Sequence, residues 1–392
     1  MFKNYSCAVL PMEIIFIIGA SQALFLSILT FNKKDKKDSD YILAVWLAFI
    51  AIHLLDIFLF KTGYSFNHPH LLGIGACFPI LQGPFLYVYT LTMLNGKNKL
   101  RPVYLLHGLP FLVFTIYFMF NFYFLSGPKK IEYIHLQENN PYPVISLLNI
   151  LILVIGPLYI ILTFKRLRKH TRSIKDNFSY THGINLNWLK YLLIGLGFIW
   201  FMVVFANLMV KVFLISDNLS ENIIYLSVTL AVFFLGFFGI RQQAIYSDKD
   251  FSEETKKSSI ESWRIPDDSK DNADDLKKDR LNRKYESLLN YFESRKPYLN
   301  SRLIIKDVSD ELNIPVNQLS YIINSQTGKS FFSFVNRYRI EEFKSRFADP
   351  QNKYFTIMAI AYESGFNSKL SFNRIFKEFM GITPSEFFRS NT

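Results

Sequence analysis

The hydrophobic pattern divides the chain into two unlike parts near residue 241. Before that point long apolar stretches alternate with short polar loops, and after it most positions are polar. Seven apolar stretches have close to the roughly twenty residues with which a helix crosses a bilayer. They are 12–31, 41–60, 71–94, 104–125, 144–164, 189–210 and 221–240. The pattern predicts an all-α protein in which residues 1–240 form a seven-helix transmembrane bundle.

Lysine and arginine are distributed unequally over the loops between these stretches. The loops after the first, third and fifth stretches contain thirteen, and those after the second, fourth and sixth contain four. Short loops rich in these residues lie on the cytoplasmic side of a membrane. The charge bias predicts that the N-terminus lies outside and that everything after residue 240 lies in the cytoplasm.

Polar side chains within the apolar stretches are costly in lipid and are therefore candidates for function. In the predicted topology most of them fall in the outer half of the bundle, and His53 and Asp56 share one helix face at i and i+3. Two interpretations remain open, hydrogen bonds between helices or an outward-opening pocket for a signal molecule. The candidate pocket residues are His53, Asp56, Asn121, Asn149 and Asn207.

Residues 241–280 are polar and mixed in charge, with 9 basic and 11 acidic side chains. Such a segment buries too little apolar surface to offset the entropy of ordering it. It is expected to be a disordered linker with an end-to-end distance on the order of 35 Å. That length would let a tethered domain reach DNA held near the membrane.

Residues 281–392 contain one pattern twice, at an offset of 52 to 53 residues, after a first helix that ends before Pro297. Ile305, Val308, Ser309, Glu311 and Ile314 recur as Ile357, Ile360, Ala361, Glu363 and Phe366. In each copy a short helix leads through a tight turn into a second helix, which is the helix-turn-helix plan. Thr356 is expected to cap a helix, and Gly365 to adopt a positive φ.

Between the two copies, residues 330–347 are predicted to form one long linking helix. A rigid link would fix the two motifs relative to each other. Two recognition helices about 34 Å apart, one turn of DNA, could then enter successive major grooves on one face of the duplex.

The second copy carries the more specific motifs, Ala361-x-x-x-Gly365-Phe366, then Ser371-Phe372-x-Arg374-x-Phe376-Lys377, then Gly381-x-Thr383-Pro384. With these motifs, the region from about Tyr298 to Phe388 resembles the AraC/XylS family of transcription regulators. The resemblance implies a helical DNA-binding domain whose reading helices lie at 316–325 and 368–379. The candidate DNA-binding residues in the second are Lys369, Ser371, Asn373, Arg374 and Lys377.

The first reading helix departs from the expected chemistry. Residues 316–325 contain no lysine or arginine, and Tyr321 stands where the second copy has Arg374. The polar candidates there are Asn317, Gln318, Ser320, Tyr321 and Asn324. With few cations this helix should make few phosphate contacts and contribute a shallow salt dependence. The alternative for both helices is that these side chains only form a solvated surface.

Net charge alone does not argue for DNA. Of the formal net charge of +12, residues 1–240 carry +9, the linker residues 241–280 carry −2 and residues 281–392 carry +5. The chain has no HExxH or GxSxG motif, and Cys7 and Cys77 stand far apart, so no metal, cofactor or enzyme is predicted. His68-Pro69-His70 is the one weak candidate for a metal.

Together these features predict a membrane-anchored transcription regulator that acts as a one-component signal transducer in a bacterial inner membrane. The expected partners are double-stranded DNA, membrane lipid, RNA polymerase, a second copy of the chain and an unidentified signal ligand. The alternative is a membrane transporter or enzyme with an attached regulatory DNA-binding domain. A third hypothesis is release of residues 281–392 by proteolysis in the linker.

Overall fold

A computed structural model describes residues 11–34, 36–94, 102–139, 142–181, 186–213, 226–235 and 273–390. These residues form helices and no named strand, and one isolated antiparallel bridge joins Phe178 and Ile304. The predicted all-α fold class is thereby confirmed. The chain divides into an N-terminal unit, residues 1–167 with 186–247, and a C-terminal unit, residues 168–185 with 248–392.

The helices before residue 236 are mostly apolar. In order they are α1 (Pro11–Phe31), α2 (Asp38–Lys61), α3 (Tyr64–Asn67), α4 (Pro79–Leu94), α5 (Leu109–Phe118), α6 (Gly127–Asn139), α7 (Pro143–Asn177), α8 (Asn187–Phe213) and α9 (Leu226–Leu235). Among the described residues, five helical segments are long and apolar enough to cross a membrane. They are Glu13–Phe31, Asp38–Lys61, Pro102–Tyr123, Pro143–Asn177 and Trp188–Phe205.

Two of the seven predicted spans are not among these five. In the stretch 71–94 a regular helix begins only at Pro79, because Pro69–Leu71 forms a 3-10 turn and Gly73 takes a φ of +75°. Of the stretch 221–240 the structure describes only α9. Helices long and apolar enough to cross a membrane are present, and the membrane location, the number of spans and their orientation stay predictions.

Helix α7 is longer than the span predicted at 144–164. It runs on to Asn177 through residues rich in lysine and arginine, which lower hydropathy but are good helix formers. At 1.5 Å per residue its 35 residues extend about 52 Å, well beyond the ~30 Å of a hydrocarbon core. Its last ten residues belong to the C-terminal unit.

Small residues and polar bonds hold the N-terminal unit together. Ala20, Ala23 and Ala51 are buried where α1 packs along α2, which lets the two backbones approach closely. Ser27 Oγ donates to the Ala44 carbonyl at 2.8 Å, and Trp46 Nε1 donates to Gln82 Oε1 at 2.6 Å. In lipid such groups need partners within the protein, so these bonds fix the helices in register.

The C-terminal unit contains two helix-turn-helix motifs joined by one long helix. Its helices are α10 (Ala273–Arg295), α11 (Ile305–Leu312), α12 (Val316–Thr327), α13 (Phe331–Ala348), α14 (Ile357–Glu363), α15 (Lys369–Met380) and α16 (Pro384–Ser390). The motifs are α11 with α12 and α14 with α15. Helix α10 begins eight residues before the predicted start of this region at 281, and residues 241–272 of the predicted linker lie outside the described residues.

Two aromatic and aliphatic cores support the motifs, and α13 belongs to both. Phe334 and Val335 of α13 pack into the core of the first motif. Ile340 and Phe343, further along the same helix, pack into the core of the second. The linking helix predicted at 330–347 is thus present as Phe331–Ala348, capped by Ser330. Because it is embedded at both ends, it fixes the spacing of the two motifs.

The local signals predicted around the second motif are also present. Thr356 Oγ1 accepts a hydrogen bond from the Ala359 amide at 3.1 Å and so caps α14. Gly365, between α14 and α15, has a φ of +91°. Both predictions are confirmed, since each depends only on residues within one turn.

Glu342 of α13 is held by two cations. Its carboxylate accepts from Lys296 Nζ at 3.0 Å and from Arg346 Nε at 2.8 Å. Burial raises the pKa of Glu342, but the bonds and charges of these two partners outweigh it and hold the pKa below its ordinary value. A carboxyl with a lowered pKa stabilises the fold above its unfolded pKa, and this stability is lost as pH falls through the lowered value.

We therefore expect Glu342→Gln to destabilise the C-terminal unit by about 1–2 kcal/mol at pH 7 and by much less near pH 3. The measurement is urea unfolding of the full chain in detergent. Unfolding is monitored by the part of the helical circular dichroism signal that changes with urea. Glu341→Gln is the control, because Glu341 is exposed and its ion pair is with Lys344 of the same helix. Equal losses at both pH values would contradict the expected charge effect.

Candidate nucleic-acid interface

Helix α15 has one buried side and one exposed side. Its N-terminus is capped by Ser368, whose Oγ accepts from the Ser371 amide at 3.2 Å. The buried side consists of Phe372, Ile375 and Phe376. The opposite side exposes Leu370, Asn373, Arg374 and Lys377, at positions i, i+3, i+4 and i+7. A recognition helix needs this arrangement, because one side anchors it to the domain while the other enters the major groove.

Four of the five residues predicted in this helix, Lys369, Asn373, Arg374 and Lys377, are exposed, whereas Ser371 is only 9% exposed. Sequence reasoning missed Leu370, which is 77% exposed in the first turn. A leucine is ordinarily assigned to a core, but its spacing from Asn373 and Arg374 places it on their side of the helix. An apolar side chain at this position can contact a thymine methyl group.

Helix α12, in the first motif, presents a less charged surface. Asn317, Tyr321 and Asn324 are exposed at i, i+4 and i+7, while Gln318 and Ser320 are half-buried. Lys284 of α10 donates from Nζ to Gln318 Oε1 at 2.7 Å. A cation from another helix thus lies beside a reading helix that has none of its own. The sequence did not reveal this contact, because the two residues are 34 positions apart.

A family model described as a helix-turn-helix domain matches residues 308–390, from within α11 to the end of α16. Residues 308–390 form an AraC-type helix-turn-helix domain. The resemblance predicted from the motifs is confirmed, and this AraC-type domain is that of a DNA-binding transcription regulator. No curated protein and no solved structure matches the chain.

In the AraC-type domain, Arg374 is exposed but has a partner. Its Nη2 donates to Thr181 Oγ1 at 3.0 Å, and its guanidinium carbon lies 6.0 Å from the centre of the Phe332 ring. Thr181 precedes α8 in the chain and belongs to the C-terminal unit. The side chain best suited to pair with guanine or phosphate is therefore engaged by a segment outside the AraC-type domain.

Of the four proposed signal-pocket residues whose side chains the structure describes, His53 and Asp56 bond to the same glycine. His53 Nδ1 lies 3.1 Å from the Gly75 carbonyl, and Asp56 Oδ2 accepts from the Gly75 amide at 3.0 Å. A Cβ at Gly75 would stand 3.0 Å from Asp56 Oδ2 and 3.1 Å from His53 Cα. This close approach holds the turn before α4 against α2.

Two further residues proposed for the pocket, Asn121 and Asn149, have exposed side chains. Asn121 is exposed and donates to the Tyr117 carbonyl of the preceding turn at 2.9 Å, and Asn149 is exposed on α7. The side chain of Asn207 lies outside the described residues. The bonds to Gly75 fit the interpretation that His53 and Asp56 join structural elements, and the signal pocket stays a prediction.

A cavity of about 240 Å³ lies beside the turn that contains Gly75. Its walls are formed by Ile74, Cys77, Phe78, Phe111, Thr115 and Tyr123, so most of its lining is apolar. Tyr123, one of these lining residues, donates from its hydroxyl to the Gly73 carbonyl at 2.8 Å. Among the described residues, no group of three or more His, Cys, Asp or Glu side chains could hold a metal ion.

Proposed function

We propose that this chain is a membrane-anchored, one-component transcription regulator that binds duplex DNA through α15 and α12 and catalyses no reaction. The observation that carries the proposal is the exposed side of α15, where Asn373, Arg374 and Lys377 stand opposite a fully buried aromatic side. Arginine and lysine pair with guanine or phosphate, and asparagine with adenine. Side chains of this chemistry, on this face of an AraC-type domain, suit a major groove.

The two reading helices have different tasks in this proposal. Helix α15 supplies charged contacts through Lys369, Arg374 and Lys377. Helix α12 reads through Asn317, Tyr321 and Asn324, and Lys284 adds a phosphate contact from α10. Base contacts made by α12 would then depend less on salt than those made by α15.

The five long apolar helices support anchoring in lipid, and the loop charges support a cytoplasmic AraC-type domain. The proposed location is therefore the inner membrane of a bacterium, with the N-terminus outside. In this arrangement a signal received by the membrane helices alters DNA binding in the cytoplasm. RNA polymerase and a second copy of the chain are the further partners that this role requires at a promoter.

Mapping the DNA bound by the full chain in cells tests the proposal. We expect discrete sites for the wild type and a loss of about tenfold or more in occupancy for Arg374→Ala, because a bidentate arginine contact is worth about 1–3 kcal/mol. The bound DNA should co-sediment with the membrane fraction. Arg337→Ala is the matched control, since Arg337 is an exposed arginine on α13 and belongs to neither reading helix.

Two results would refute the proposal. One is an absence of enriched DNA with the wild-type chain. The other is equal occupancy for Arg374→Ala, Arg337→Ala and the wild type, which would mean that the exposed side of α15 is only a solvated surface.

A further inference from the structure

A short segment between α7 and α8, residues 178–181, packs into the C-terminal unit. Phe178, Ser179 and Thr181 are buried. The Ser179 amide donates to the Leu303 carbonyl at 3.2 Å, its Oγ donates to the same carbonyl at 2.7 Å, and Phe178 forms the antiparallel bridge with Ile304. The segment thus lies against the residues that lead into α11. We call residues 178–181 the docking segment.

The docking segment completes the coordination of a buried cation. Arg339 of α13 is 1% exposed, and burial lowers its pKa to about 9. Its guanidinium donates to the Tyr298 carbonyl at 2.8 Å and to the Asn300 carbonyl at 2.7 Å. It also donates to the carbonyl and to Oγ of Ser179, each at 2.9 Å. A buried guanidinium with neutral acceptors needs each of them, and Ser179 provides two.

Asn336 strengthens the same contact. Its Nδ2 donates to the Ser179 carbonyl at 2.9 Å and to the Phe332 carbonyl of its own helix at 2.7 Å. Both Asn336 and Arg339 lie on α13, the helix shared by the two motifs. The polar socket that receives Ser179 is therefore built into the rigid centre of the AraC-type domain.

The other end of the docking segment contacts the exposed side of α15, which is the reading surface of the second motif. Thr181 accepts the hydrogen bond of Arg374, a residue that the proposed function assigns to DNA. The bond to the buried Thr181 takes one N–H of Nη2 and holds the guanidinium toward the docking segment, whereas a bidentate contact with guanine requires the guanidinium to point at the base edge. In sequence the segment stands between α7 and α8, two helices long and apolar enough to cross a membrane.

We propose that the docking segment is an intramolecular ligand of the AraC-type domain that competes with DNA for Arg374, and that release of Ser179 from its socket permits DNA binding. This inference rests on the proposed function and adds its regulation. The apparent affinity for DNA is the intrinsic affinity reduced by the fraction of molecules in the released state. A displacement of α7 or α8 would change that fraction through the intervening segment, without any need for the distant linker.

Ser179→Ala tests the docked state in the full chain. The variant removes the Oγ that accepts from Arg339 and donates to Leu303, but it changes nothing on the reading surface. We expect its affinity for a 40-base-pair duplex of mixed sequence, measured by fluorescence anisotropy in phosphatidylcholine nanodiscs, to rise by about five- to thirtyfold. Ser173→Ala is the control, because Ser173 is an exposed serine on α7, six residues before Ser179. The affinity of this variant for the duplex should match that of the wild type.

A covalent lock tests the opposite direction. An antiparallel bridge brings two Cα atoms to about 4.5–5.5 Å, within the range that a disulfide spans, so Phe178→Cys with Ile304→Cys can close the docked state. The oxidised double variant should bind the duplex at least about tenfold more weakly than after reduction. The two single variants should show no such dependence on reductant.

The outcomes separate the docking inference from the proposed function. Wild-type affinity or weaker binding for Ser179→Ala, with an unchanged urea profile, would overturn the docking inference. Equal DNA binding by the oxidised and reduced double variant would do the same, since the docked state would then tolerate DNA. If no form bound the duplex, released ones included, both the docking inference and the proposed function would fall.

Discussion

Replacing Gly365 with alanine should cost the C-terminal unit about 3–5 kcal/mol, enough to unfold a marginally stable domain. Two effects add. The φ of +91° is one that an L side chain rarely adopts, and a Cβ here would overlap the carbonyl oxygen of Tyr298. It would also stand 3.0 Å from Leu299 Cα and from Arg339 Nε. Neither of these atoms can move without disturbing the hydrogen bonds of Arg339.

The urea-sensitive circular dichroism of the full chain measures this loss, and Gly381→Ala is the matched control. Gly381 ends α15 with a φ of +76°, but a Cβ there meets no atom within 4 Å. Only the backbone strain remains, worth about 1–2 kcal/mol. Equal losses for the two variants would show that crowding against Tyr298 contributes nothing.

Phe372→Ala should have the second large effect, a loss of about 3–5 kcal/mol. Phe372 is fully buried in α15, and its ring centre lies 4.8 Å from that of Phe343, 5.1 Å from that of Phe366 and 5.5 Å from that of Phe376. Removing it leaves a cavity at the point where the reading helix rests on α13. Urea unfolding gives the stability, and the same variant should lose DNA binding because α15 is no longer held in place.

Leu370→Ala, two residues earlier on α15, is the control for this change. Leu370 is 77% exposed, so its truncation should alter stability by no more than about 0.5 kcal/mol. A loss as large as that of Phe372→Ala would show that Leu370 is covered in solution. A small loss for both variants would mean that the second core tolerates a large cavity.

Features that depend on neighbours in sequence could be predicted, and those that depend on distant pairs could not. The positions of α12 and α15, the Thr356 cap and the φ of Gly365 follow from spacing within a few residues. The bonds of Arg339 to Ser179 join residues 160 positions apart, and neither residue belongs to a recognisable motif. A serine and an arginine are usually solvated, so only the folded chain shows that both are buried.

The N-terminal unit shows the same division. Hydropathy located five segments that are long enough to span a membrane, but it extended the third stretch back across the turn at Gly73, because the residues of that turn are also apolar. The spacing of His53 and Asp56 placed them correctly on one face of α2. Their partner is the backbone of Gly75, which offers no side chain for a pattern to detect.

The helix shared by both cores has a consequence for the DNA that this protein would select. A symmetric dimer reads a palindrome, because its two identical halves are related by a twofold axis. Here one helix joins two proposed reading helices with different side chains, so the sequence that a single chain would recognise would have no twofold symmetry and would have a direction. Each bound chain would then have one defined orientation relative to the gene. Inverting the DNA site in place would reverse that orientation.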